Sequence, residues 1–233
     1  MSTRVEVYCD FDGTVTRGDT IDTLLEALGD PQWRQIEERW VSGEIGSREC
    51  MALQVPLLRG GWAAIEKVLA KVKVDPTFSE FAQWCRQNGV PLRIVSDGID
   101  RVIHYLLKRE GVRVDYVWAN HLMEASDGSL SLSFPFGPTT VGCSAGLCKC
   151  KVLDSGSRNT LKVVVGDGRS DFCWSADADL VFAKSKLLQH LRETNVSCLP
   201  FDSFKTVRLS LEKELGTLVH PVLPTVPTIS ATA

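Results

Sequence analysis

The segment Val-Glu-Val-Tyr-Cys-Asp-Phe-Asp-Gly-Thr-Val-Thr at positions 5–16 constrains this chain more than any other. Val5, Val7 and Cys9 give a short apolar strand that delivers Asp10 and Asp12 onto a turn opened by Gly13. Side chains two apart on a strand share a face, so the two carboxylates start on one side before the chain bends. Their repulsion calls for a counter-charge, and a hard divalent cation such as Mg²⁺, which takes oxygen ligands, supplies it. One carboxylate of such a pair can act as a nucleophile and the other as a general acid/base. The competing interpretation is an ordinary acidic turn, because Asp and Gly are common turn residues. Three segments downstream weigh against it.

At 90–98 the chain reads Val-Pro-Leu-Arg-Ile-Val-Ser-Asp-Gly. Leu92, Ile94 and Val95 are the strand, and Ser96 ends it beside Asp97 and Gly98, where a hydroxyl and free backbone N–H groups make a small anion-binding nest. At 148–153, Cys-Lys-Cys-Lys-Val-Leu opens a helix after the Gly146 break, and either Lys149 or Lys151 offers a positive charge. At 161–171, a buried-type run at 163–165 leads into Gly-Asp-Gly and then Asp171. Asp167 reaches a metal from the strand end. Asp171 falls in the first turn of the next helix, where an anion suits the helix dipole, placed to orient a metal-bound water or to hold Lys149. A dinucleotide-binding G-x-G-x-x-G loop would use Gly166 and Gly168 but needs Gly where Asp171 stands.

These four segments, in this order, resemble the haloacid dehalogenase superfamily, from about residue 5 to 215. Within it the chain is most similar to the branch of phosphoserine phosphatase and, more closely, of the methionine-salvage hydroxyketo-methylthiopentenyl phosphate phosphatases. The K-G-x-[IVL] pattern of that branch puts Lys149 in the lysine place, with Cys150 replacing the glycine. The resemblance implies a Mg²⁺-dependent phosphomonoesterase working through an aspartyl-phosphate. Asp10 is then the nucleophile and Asp12 the acid/base, and Asp10, Asp167 and the Asp12 backbone carbonyl hold the metal. Ser96 and Lys149 bind the phosphoryl group, Asp97 and Gly98 belong to the substrate-binding turn, and Asp171 supports the site.

The same resemblance places Asp19 and Gln54 on the cap side, facing the leaving group. Phosphoserine phosphatases carry Arg before Val-x-Leu-Leu, and this chain carries Gln54 there. The missing carboxylate clamp argues against phosphoserine itself. The segment at 43–50 and Ala183 in Val-Phe-Ala-Lys are closer to the methionine-salvage enzymes. Phosphoserine phosphatase is the alternative reading. A non-catalytic phosphate-binding regulatory protein is the alternative of another class, disfavoured because nucleophile, lysine and metal carboxylates are all present.

Between the first and second strands, helical spacing replaces β runs. Ile21, Leu24, Leu25 and Leu28 recur at helical intervals, as do Trp33, Ile36 and Trp40, with further helices expected over 47–58 and 62–71. Helices over 76–88 and 99–110 end at Gly89 and Gly111, a strand follows over 114–119, and 121–124 with 129–134 read as a hairpin about Ser126-Asp-Gly128. Another strand is expected over 180–182. Alternating β and α elements predict an α/β fold with a parallel sheet, and the resemblance implies a Rossmann-like core with the helical insert after the first strand as its cap. The expected division is a core of 1–17 and 75–215 with a hairpin at 118–136, a cap of 18–74, and a loose tail of 216–233 with a late strand as its alternative.

A formal charge of −3 argues against nucleic-acid or acidic-membrane partners. No apolar run is long enough to span a bilayer, and with the first strand starting within a few residues no signal peptide is expected. A cytoplasmic monomer or homodimer acting on a small phosphate ester is expected. The eight cysteines contain no C-x-x-C pair, and the four histidines show no ligand spacing, so free thiols are expected, with Cys9, Cys85 and Cys173 buried.

Overall fold

The computed structural model describes residues 4–138, 143–156 and 159–215. β1 (Arg4–Cys9) is buried over all but its first residue, as an interior parallel strand must be. Five helices follow before the chain returns to the sheet, the first four being α1 (Thr20–Leu28), α2 (Trp33–Val41), α3 (Ser47–Gln54) and α4 (Gly61–Leu69). α3 stops short of the expected 58 and continues as a 3-10 turn over Val55–Leu57. Pro56 explains this, since it donates no backbone hydrogen bond and crowds the preceding turn.

α5 (Phe78–Gln87) then leads to β2 (Leu92–Ile99) and α6 (Asp100–Arg109). Both helices bury residues at helical spacing, Phe78, Phe81, Ala82 and Cys85 in one, Val102, Ile103, Leu106 and Leu107 in the other. β3 (Tyr116–Glu124) and β4 (Leu130–Ser133) form the expected hairpin, but β3 is one unbroken strand through Asn120. That polar residue reads as a break in sequence. In the fold it is buried and its amide is satisfied from β2.

The rest is α7 (Lys149–Asp154), β5 (Thr160–Gly166), α8 (Phe172–Ser175), β6 (Leu180–Ala183), α9 (Ser185–Glu193), β7 (Leu199–Pro200) and α10 (Phe204–Leu215). The expected tail at 216–233 lies outside the described residues.

Among the described residues seven strands form one sheet in the order β4-β3-β2-β1-β5-β6-β7, parallel throughout except for β4. The chain begins at the centre, builds outward to one edge, then crosses β1 to build the other. Ligands of such sheets bind at the carboxyl ends of the strands where the direction of winding reverses. The register lines those ends up: Cys9 pairs with Ile94 of β2 and with Val165 of β5. Asp10, Ser96 and Asp167 therefore leave neighbouring strands at nearly one level.

Both faces of the sheet are covered. Val7, Cys9, Val163 and Val165 face one apolar cluster with α5, α6 and α10, while Tyr8, Val164 and Val181 face a second with Trp174, Leu153 and Leu187. No helix among the described residues is long and apolar enough to cross a membrane. All eight cysteines are free thiols. Cys9 and Cys85 are buried as expected, but Cys173 is exposed, because α8 turns Trp174 and Ser175 inward instead.

α10 closes the core. Its Phe204, Val207 and Leu211 are fully buried, and the Phe204 ring lies 4.7 Å from Phe78 and 5.3 Å from Phe81 of α5. Phe204→Ala is expected to destabilise the protein by about 3–5 kcal/mol, the cost of losing a buried aromatic and leaving a cavity. Urea unfolding followed by circular dichroism measures it, and a loss under 1 kcal/mol would show α10 to be dispensable packing.

Candidate active site

Asp10 follows the last residue of β1 and is 5 % exposed. Its Oδ1 accepts from the Phe11 amide at 2.7 Å and lies 2.9 Å from Lys149 Nζ. Lys149 opens α7 and is 2 % exposed; Lys151 faces solvent. Lys149 also reaches Asp171 Oδ1 at 2.7 Å and stands 5.1 Å over the Trp174 ring.

Asp171 is fully buried and saturated by protein donors. Oδ1 takes Lys149 and, at 3.0 Å, the Trp174 indole; Oδ2 takes the Asp167 and Gly168 amides, each at 3.0 Å. Asp171 thus holds the lysine and shapes the turn that carries Asp167.

Asp10, Asp167 and Asp171 bring carboxylate oxygens within 4.8 Å of one another. Burial pushes the Asp10 carboxyl well above the ordinary range, the charge of Asp171 adds to this, and Lys149 opposes it. Asp167 is also raised by burial, against its 2.7 Å bond from Thr14 Oγ1. Burial works against the Lys149 ammonium, but Asp10 and Asp171 hold its pKa above the usual lysine value.

Three clustered carboxylates face a single ammonium that contacts only Asp10 and Asp171, and a divalent cation would offset the remaining charge. The donor set fits Mg²⁺, which binds through a few carboxylate oxygens and keeps waters. With Asp171 saturated, Asp10 and Asp167 are the carboxylates open to it. Gly13 permits the approach of Asp167. Its φ is +72°, and a Cβ there would lie 2.5 Å from Asp167 Oδ2.

Asp12 does not join that cluster through its side chain. Its Oδ1 accepts from the Thr20 amide at 2.9 Å, at the start of α1. Burial raises its pKa, and the Thr20 hydrogen bonds counter this, a balance suited to a group that gives up and recovers a proton. Ser96 is buried beside it, accepting from the Gly98 amide at 3.0 Å. Gly98 itself is pressed against the Asp12 carboxylate, where no side chain fits.

Asp97 is not free for substrate. Oδ2 accepts from Ser47 Oγ at 2.6 Å, and Oδ1 accepts from the Leu147 amide at 2.8 Å and the Asn120 amide group at 3.1 Å.

Asp19 caps α1, accepting from the Ile21 and Asp22 amides. Water reaches it, yet protein atoms crowd around it. That crowding, with Asp12 next and Glu37 last, pushes its carboxyl up to about 7. Gln54 is buried and donates from Nε2 to Glu37 Oε2 at 2.9 Å. Asp22 is raised to about 6 by the same crowding together with Asp19, Glu37 and Glu26.

Several of these partners are absent from the sequence expectation. Trp174 follows Asp171 by three residues, a helical neighbour spacing that was available to be read. Thr14, Lys184 (whose Nζ donates to the Thr14 carbonyl at 3.1 Å), Ser47, Asn120 and Glu37 carry no local signal.

Residues 7–175 match the model of the haloacid dehalogenase-like hydrolases, and the chain belongs to that family. It is 26% identical over 213 residues to the 2-hydroxy-3-keto-5-methylthiopentenyl-1-phosphate phosphatase of Bacillus thuringiensis subsp. konkukian, covering 89% of this chain and 96% of that one. A Bacillus cereus protein of the same name is 27% identical over 217 residues, covering 91% and 98%. A phospho-aspartyl intermediate analogue structure of phosphoserine phosphatase superimposes with a TM-score of 0.67 at 19% identity, over 89% of this chain and 99% of that one, a likeness of fold.

Mg²⁺ is expected to raise the thermal unfolding midpoint of the protein, by up to about 2.7 kcal/mol of added stability at a hundred times its Kd. Asp167→Asn should abolish most of that rise. Equal Mg²⁺ stabilisation of the variant would remove Asp167 from the metal site.

Proposed function

We propose that the chain is a Mg²⁺-dependent phosphomonoesterase that turns over a small phosphorylated metabolite through an aspartyl-phosphate on Asp10. The observation that carries this is the buried Asp10–Lys149–Asp171 arrangement at the carboxyl end of the central strand. Asp10 and Asp167 side chains, with the Asp12 backbone carbonyl, would hold Mg²⁺, which neutralises charge on the phosphoryl oxygens when bound.

The Asp10 carboxylate attacks phosphorus, and the bond to the leaving oxygen breaks. Asp12 gives that oxygen its proton, then takes one from the water that cleaves the acyl phosphate, releasing inorganic phosphate and restoring Asp10. Ser96, Lys149 and the backbone N–H groups beyond Asp10 and Ser96 bind the phosphoryl oxygens as charge builds. A non-catalytic role leaves this assembly of nucleophile, lysine and acid/base without a use.

The helical insert is the cap that selects the leaving group. It brings Asp19, Asp22 and Glu37 near one another, with Gln54 bonded to Glu37. Acceptors and negative charge there favour hydroxyl groups and disfavour a carboxylate. This supports the methionine-salvage keto phosphate, the substrate in the relatives' names, over phosphoserine.

Asp10→Asn keeps the shape and removes the nucleophile. Loss of turnover on the order of a thousandfold or more is expected, with an unchanged circular dichroism spectrum. Wild-type turnover by this variant would rule out the covalent route.

Phosphoserine is expected to be a poor substrate beside a phosphorylated keto or polyol compound. Gln54→Arg alone should change little, because Glu37 pairs with the new guanidinium. Gln54→Arg combined with Glu37→Gln frees the fork for a substrate carboxylate and should shift the kcat/KM ratio toward phosphoserine by about tenfold, roughly 1.4 kcal/mol. A preference for phosphoserine in the wild type would reverse the substrate reading.

A further inference from the structure

Asp97 stands between the chemistry and the insert. It follows Ser96, and its carboxylate gathers three separate parts of the chain. Ser47, at 2.6 Å, is the first residue of α3 in the insert. Asn120, which donates to both the Asp97 carboxylate and its backbone carbonyl, belongs to β3. The Leu147 amide, at 2.8 Å, lies two residues before Lys149.

The first turn of α3 touches the core elsewhere too. The Arg48 amide donates to the Ser144 carbonyl at 3.1 Å, and the Arg48 guanidinium lies 5.1 Å over Phe134. The other end of the insert is docked separately, with the Arg101 guanidinium 4.0 Å over Trp62 and the Trp62 amide on Glu124. Of these contacts only the Ser47 bond ends on a charged group adjoining a residue of the phosphoryl site. Hydrogen bonds to charged groups are the strong ones, and a shared carboxylate couples its partners.

We infer that Asp97 is a positioning residue that latches the insert shut through Ser47 while holding the Lys149 segment through Leu147. Seating of the cap and placement of the phosphate-binding lysine are then coupled through one carboxylate. The inference rests on the phosphomonoesterase reading for its kinetic consequence but not for its structural one. Without the latch, part of the substrate's binding energy goes into closing the insert, so KM rises while turnover of bound substrate is kept. Without Asp97 itself, the lysine segment also loses an anchor, so kcat falls as well.

The test uses the full chain with Mg²⁺ and p-nitrophenyl phosphate, alongside amide hydrogen exchange. Ser47→Ala should raise KM about tenfold with kcat within about twofold, and Ser47→Thr, which keeps the hydroxyl, should restore KM. Asp97→Ala should raise KM similarly and lower kcat about tenfold or more, and adding Ser47→Ala to it should leave KM where it is. In exchange, Ser47→Ala should speed the amides of the first turn of α3 and leave α5 unchanged. Wild-type KM in Ser47→Ala, failure of Ser47→Thr to restore it, or multiplying effects in the double variant would each overturn the latch. If the wild type hydrolyses no phosphomonoester, the functional reading fails instead, and unchanged exchange at α3 would still overturn the latch.

Discussion

A lysine ammonium buried to 2 % exposure between two carboxylates is the interaction on which this structure turns. Stripping an ion of water costs several kcal/mol, and the cost is offset only where geometry and extra hydrogen bonds are complete. Here they are. Asp171 spends all four of its bonds on Lys149, Trp174 and the turn at 167–168, so its charge is met on every side. Asp10 is met only in part, by Lys149 and the Phe11 amide. The site therefore contains one carboxylate locked in place and another still short of positive charge. In the proposed reaction that inequality separates a support from a reacting group, although both are aspartates on the same lysine.

The sheet makes the inequality possible. Asp10 and Asp167 come from adjacent parallel strands in register, and Lys149 arrives from a helix on the face that also carries Trp174. The parallel arrangement puts all strand ends of one kind on one edge, so groups distant in sequence meet without a buried loop. Gly13 and Gly98 then remove the last obstacles, each standing where a side chain would strike a carboxylate.

Much of this was legible in the sequence, for a physical reason. Strand-end aspartates, a serine after an apolar run and glycines at turns are local patterns, and backbone geometry translates them directly. The helix ends at Gly89 and Gly111 were readable in the same way, both glycines having positive φ. What was not legible depends on tertiary contact. Asn120 reads as a strand break because nothing near it in sequence reveals its partner Asp97. Asp97 reads as a substrate contact because its place beside Ser96 is visible and Ser47 is not. Glu37 is an ordinary helix-surface acid until α2 and α3 pack and bring it to Gln54. Proximity to a motif indicates where a residue is, and only the saturation of its hydrogen bonds indicates whether it is free to act.

The insert also reaches the core beside Asp10 through Asp12. Asp12, the acid/base of the proposed reaction, takes its hydrogen bond from Thr20, the first residue of α1, and Asp19 caps the same helix. Free amides at a helix start attract anions, so this one end holds two carboxylates of different purpose. In the proposed reaction Asp12 would face the leaving oxygen and Asp19 the remainder of the leaving group. A displacement of α1 would therefore move the proton donor together with the wall that judges the leaving group. In the proposed reaction, selection of the substrate and delivery of the proton would then be tied, because a leaving group that kept the helix from seating would also keep Asp12 from its place.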